Sequence, residues 1–99
     1  REDYYHAFLA GLLSGAGDSV RSNRETGSGR ADIVLLDKRN RRAAVFEVKR
    51  SASDNDMARD AQAALRQIQD RGYGTDLEGY RDILSYGAAF CRKGVLIIA

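Results

Sequence analysis

Glu47 and Lys49 stand two residues apart at the end of the apolar run Ala43 to Lys49, and Asp32 interrupts a second apolar run, Ala31 to Leu36. Side chains alternate along a strand, so Glu47 and Lys49 share one face while Phe46 and Val48 take the other. Asp32 shares its face with Val34 and Leu36, and pairing the two runs as a hairpin brings its carboxylate toward Glu47. Two carboxylates with little competing sulfur or imidazole suit a hard cation, Mg2+ or Mn2+, which prefers oxygen ligands and keeps several waters. The backbone carbonyl of Val48, between Glu47 and Lys49, is a further oxygen donor. A cation so held acidifies a water and neutralises charge on phosphorus, which is what hydrolysis of a phosphodiester needs. Lys49 is then placed to orient that water or to stabilise the charged phosphate. Glu-x-Lys alone also describes a solvated stripe. Its weight here comes from the apolar strands around it, in which a charge is either edge-exposed or functional.

The elements that must position these residues follow from periodicity. In Glu2 to Leu13, apolar Tyr5, Phe8, Leu9 and Leu12 recur at helical spacing, and Gly15 and Gly17 close the segment. Ser19 to Glu25 is short and polar and predicts a weak edge strand, followed by the tight loop Gly27-Ser28-Gly29-Arg30. The two apolar runs flank the turn-like Asp37 to Arg42 and predict a hairpin. Ser53 to Asp56 offers N-cap residues for a helix whose buried stripe is Met57, Ala61, Ala64, Leu65 and Ile68, ending before Gly72. Asp82 to Phe90 and Lys93 to Ala99 predict two further strands, the last so aliphatic that burial on both faces is expected. The order is α-β-β-β-α-β-β.

Ninety-nine residues, 43% of them hydrophobic, suffice for one α/β domain over 1–99, without repeats or linkers. The opening Arg1 and the apolar ending suggest a piece of a longer protein. No stretch approaches the roughly 18 apolar residues of a membrane span, nor is there a signal-peptide pattern, so a cytoplasmic location is expected. Cys91 is the sole cysteine, which excludes an internal disulfide and a multi-cysteine zinc site. The net charge of +2 says little about partners. The cationic group Lys38, Arg39, Arg41 and Arg42 flanks a turn and reads first as solvated charge.

The runs Gly27-Ser-Gly-Arg-Ala-Asp32-Ile-Val-Leu-Leu, Val45-Phe-Glu47-Val-Lys49 and Ala64-Leu-Arg-Gln67-Ile-Gln-Asp-Arg-Gly-Tyr73 together resemble the PD-(D/E)XK nuclease superfamily. They look closest to the nuclease-like module found C-terminal to AAA-type ATPase domains in bacterial proteins. The resemblance spans nearly the whole chain, from Glu2-Asp-Tyr-Tyr-His-Ala-Phe to Gly87-Ala-Ala-Phe90 and Lys93. It implies a restriction-endonuclease-like α/β core, α-β-β-β-α-β, with a mixed central sheet flanked by helices. It also implies metal ligation by Asp32 and Glu47, a catalytic role for Lys49, and a Gln67 that faces the site from the second predicted helix. Ala31 stands where the superfamily name has proline, a departure without chemical consequence.

Glu2 resembles a helix-one acid that some members add to the site, and equally suits a helix start. Arg30 either touches a phosphate or braces its loop. Tyr73 belongs to the family motif or caps the helix. His6, the sole histidine, reads as packing or hydrogen bonding within the domain. The implied partners are nucleic acid, DNA ahead of RNA, an ATPase domain in the same chain, and a second copy in a homodimer. The leading expectation is a Mg2+- or Mn2+-dependent nuclease. The alternative is a catalytically silent nuclease-fold module that binds nucleic acid or protein beside an ATPase. A purely structural dimerisation domain leaves Asp32, Glu47 and Lys49 unexplained.

Overall fold

A computed structural model describes residues 19–22, 32–73 and 77–99. The helix expected over Glu2 to Leu13, with Glu2 and His6, and the loop ending at Arg30 lie outside the described residues. Strands β1 (Ser19–Ser22), β2 (Ile33–Asp37), β3 (Arg42–Arg50), β4 (Asp82–Cys91) and β5 (Gly94–Ile98) form a sheet in the order β1-β2-β3-β4-β5. β3 and β4 are parallel and every other pair is antiparallel. The sheet is therefore mixed, as expected. Its parallel step requires a crossover, and the helix α1 (Met57–Arg71), entered through a 3-10 turn at Asp54–Asp56, supplies it.

Local chemistry explains the joints. In the β2–β3 turn, Asp37 Oδ1 accepts the Asn40 backbone N–H, and its Oδ2 accepts Asn40 Nδ2 at 3.0 Å and an Arg42 guanidinium nitrogen at 2.7 Å. The Asn40 bond, then that of Arg42, holds the Asp37 carboxyl below the usual carboxylate range. Lys38, Arg39, Arg41 and Arg42 are exposed around this turn. At the start of α1, Asp56 is the N-cap residue, yet its side chain makes no capping hydrogen bond. The 3-10 turn instead satisfies the first helical donor, the Met57 N–H, which donates to the Asp54 carbonyl. At the other end Gly72 takes φ 80, a left-handed value that suits glycine, and its N–H donates to the Ile68 carbonyl at 2.8 Å.

The sheet carries apolar side chains on both faces. Val34, Leu36, Ala43 and Val45 form one buried cluster with Ile68 of α1 and with Leu77. Ile33, Phe46, Val48, Ala88 and Phe90 form a second, flanked by Tyr86, whose ring stacks on Phe46 at 5.0 Å. Alternation assigns Asp32, Glu47 and Lys49 to the α1 face together with the first cluster. β5 departs from expectation. Val95 and Ile97 are 47% and 42% exposed, because β5 lies at the end of the strand order with β4 as its neighbour. An aliphatic run records strand propensity but not rank within the sheet. Among the described residues, no helix is long and apolar enough to cross a membrane.

α1 approaches β4 closely because the residues between them are small. Ala61 and Ala64 are 0% exposed, and a Cβ placed on Gly87 would overlap the Ala61 carbonyl oxygen and lie 2.8 Å from the Leu65 backbone nitrogen. Backbone atoms in a helix interior cannot step aside as a flexible side chain would. Gly87→Ala is therefore expected to destabilise the fold by roughly 1–3 kcal/mol through overpacking. Urea denaturation checks this, and an unchanged midpoint would show that the helix has room to move.

Candidate active site

Register sets the first part of the site. Ile33 pairs with Phe46 in the antiparallel β2–β3 ladder, so Asp32, one residue before β2, stands opposite Glu47. Asp32 Oδ2 accepts the Val48 backbone N–H at 2.8 Å, the position that the next ladder partner would otherwise occupy. A strand residue directs its N–H and C=O to the same neighbour, so the Val48 carbonyl points to this same side. The structure thus brings together the Asp32 carboxylate, the Glu47 carboxylate and the backbone of Val48.

α1 supplies the second part. Gln67 and Arg71 are four apart and share one helix face. Gln67 Nε2 donates to Glu47 Oε2 at 2.8 Å, and Arg71 Nη2 donates to Glu47 Oε1 at 2.6 Å. Glu47 is 5% exposed on a central strand, next to Gly87 in the β3–β4 register. The glycine admits the helix, and the helix brings both donors within reach of the carboxylate. Burial, followed by the like charge of Asp32, pushes the Glu47 carboxyl up from 4.5 to about 7, against the opposing pull of Arg71 and Lys49.

Lys49 is half-buried on the same face, close enough to Glu47 and Asp60 for its charge to lower both carboxyls. Asp60, on the first turn of α1, accepts the Ser51 hydroxyl at 2.7 Å, and that bond is the main reason its carboxyl sits low. Tyr73 is 38% exposed, and its hydroxyl is hydrogen-bonded to Ser85 Oγ at 2.7 Å, tying the chain just after α1 to β4. Glu2 and Arg30 lie outside the described residues. Sequence reasoning missed Arg71, Asp60 and Ser51. The signal for the first two was helical spacing, since Asp60, Gln67 and Arg71 fall at i, i+7 and i+11 on one face.

The residues present fit a hard divalent cation. Asp32 and Glu47 put two like charges against each other, and the strain of that contact is part of what raises the Glu47 carboxyl. Among the described residues, each Glu47 oxygen accepts one hydrogen bond, which leaves it a second lone pair. The donor set is carboxylate and carbonyl oxygen, the chemistry of magnesium and manganese rather than of softer metals. No group of three or more acidic, histidine or cysteine side chains is assembled among the described residues, so a cation here would keep much of its water.

A family model described as the PD-(D/E)XK nuclease superfamily matches residues 1–99. The chain belongs to that superfamily, and its mixed α/β sheet with a helix between the parallel strands is consistent with the restriction-endonuclease-like fold. Comparison with curated proteins finds no match, and comparison with solved structures finds none.

The raised Glu47 carboxyl has a consequence for stability. A carboxyl whose folded pKa exceeds its unfolded value binds its proton more tightly in the fold, so ionisation opposes folding. The contribution of Glu47 is therefore lost as pH rises from 4.5 to about 7. Asp37 and Asp60, held low, act in the opposite sense and only at pH near or below 3.8. Urea melts in chelator should show wild-type stability falling across the Glu47 window, with a shallower fall in Glu47→Gln. Equal slopes would contradict the assignment.

Proposed function

We propose that this chain is a metal-dependent nuclease that hydrolyses nucleic-acid phosphodiester bonds, with Asp32, Glu47, Lys49 and Gln67 as its working residues. The observation that carries the reading is the register that sets Asp32 opposite a buried Glu47, with Lys49 two residues along the same face. Membership of a nuclease superfamily supports it. Asp32, Glu47 and the Val48 carbonyl would hold Mg2+ or Mn2+. When bound, such a cation supplies an acidified water and a counter-charge for the phosphate.

The chain's own groups do the rest. Gln67, donating from its amide to Glu47 Oε2, fixes the rotation of that carboxylate. Asp32 is held by the Val48 N–H, so the acid and the backbone of the Glu-Val-Lys segment keep one spacing. Lys49 brings an ammonium to the face where negative charge grows on the phosphate and where the attacking water needs orienting. Ser51 and Asp60 brace the base of this segment against α1. The substrate is nucleic acid, with DNA ahead of RNA on the family resemblance alone. On this reading the chain is a single cytoplasmic domain, carried beside an ATPase in a longer protein. The apolar side chains exposed on β5 favour pairing with a second copy.

One observation favours the silent-module alternative, because both Glu47 oxygens are engaged by α1, one of them by a cation. The deciding experiment is incubation of labelled single- and double-stranded DNA and RNA with Mg2+ or Mn2+. Wild type is expected to cleave at least one substrate. Asp32→Asn and Glu47→Gln should abolish cleavage, and Lys49→Ala should slow it by about 10²–10³-fold while leaving metal binding in place. Metal binding without cleavage of any substrate, unchanged in all variants, would instead support a binding module.

A further inference from the structure

Arg71 is used incompletely by the arrangement so far. Its guanidinium grips Glu47 Oε1 through Nη2 at 2.6 Å, with the Arg71 side chain 22% exposed and that of Glu47 7%. Its Nε–H is buried and has no hydrogen-bond partner among the described residues. A guanidinium presents a planar fork whose parallel N–H groups match two oxygens of a carboxylate or phosphate. Here one prong is occupied and a neighbouring donor is buried without an acceptor, a costly condition that calls for an explanation. The carboxylate it holds is also the one proposed above as a metal ligand. Two cations thus have a claim on Glu47, and Lys49 adds a third positive charge nearby.

We propose that Arg71 is a built-in counter-ion of Glu47 that yields to a divalent cation, and that its guanidinium then takes phosphate oxygens of the nucleic-acid substrate through Nε and Nη2. The inference rests on the metal-dependent reading of the site and adds a coupling to it. Without metal, the fork is tied to Glu47 and the phosphate site is closed. With metal, the charge on Glu47 is met by the cation, and Arg71 gains the bidentate partner that its geometry fits. Linkage requires the effect to be reciprocal, so phosphate binding at Arg71 in turn tightens the hold on metal. Position supports the exchange. Arg71 is the last residue of α1, next to Gly72 at φ 80, so its side chain leaves the helix where the helix ends.

The test uses calorimetric titration of Mn2+ into wild type, Arg71→Met and Arg71→Lys, together with the side-chain Nε–H signal of Arg71 followed by NMR during Mg2+ titration. Arg71→Met keeps the apolar stem and removes the competing charge, and is expected to bind Mn2+ roughly tenfold more tightly than wild type. Arg71→Lys keeps the charge and should stay near wild type. The Arg71 Nε–H signal should shift on saturation with Mg2+, and shift again when duplex DNA is added. Binding of labelled duplex DNA should be tightened by Ca2+ in wild type, and this tightening should be lost in Arg71→Met. If wild type binds metal but Arg71→Met binds it no more tightly, or if the Nε–H signal does not move, the counter-ion role is overturned while the metal site stands. If wild type binds no divalent cation, both readings fall together. The NMR arm needs no substitution and so holds even if a variant does not fold.

Discussion

A buried carboxylate on a central strand sets the terms for everything around it. Glu47 is 5% exposed, and an ionised group in that position is tolerated only when its oxygens are satisfied by well-placed donors. Those donors come from α1, which must lie close to the sheet, which in turn requires Gly87 and the small faces of Ala61 and Ala64. The β3–α1–β4 crossover, the small-residue contact and the polar grip on Glu47 are therefore one structural solution. Removing one partner of a buried ion pair typically costs about 3–5 kcal/mol, because the other charge is left stranded. A well-packed apolar pair in the same place would serve stability as well or better, so the charge is hard to explain by stability alone.

Much of this arrangement can be read from residue order. The apolar runs around Asp32 and Glu47 identify β2 and β3, and the turn at Asp37 to Arg42 makes them a hairpin, which brings the two acids together without knowledge of the rest of the fold. Gln67 is visible as a polar residue on the edge of a buried helical stripe. Arg71 is not, because a basic residue in the last turn of a helix already has an ordinary explanation in the helix dipole. Ser51 escapes notice for a different reason. Its bond to Asp60 spans nine residues across the strand-to-helix joint, and no periodicity encodes it. The rank of β5 is likewise invisible, since an edge strand and a central strand can carry the same aliphatic sequence.

The polar groups of the α1 face fall into two hydrogen-bonded sets, Ser51 with Asp60 and Glu47 with Gln67 and Arg71, and the charge of Lys49 acts on both. A hydrogen-bonded set of this kind holds a single geometry when its groups are satisfied. Among the described residues the exception is the Arg71 Nε–H, and it lies beside the residue on which the proposed chemistry converges. That coincidence links the packing of a small α/β domain to the nuclease superfamily in which its sequence places it.

The central claim is that Asp32 and Glu47 together hold a divalent cation, and a crystal soaked in Mn2+ and measured for anomalous scattering tests it most directly. The expected result is an anomalous peak in contact with both carboxylates and the Val48 carbonyl. A peak elsewhere, or none at this site with Glu47 still gripped by Arg71 and Gln67 at saturating Mn2+, would contradict it.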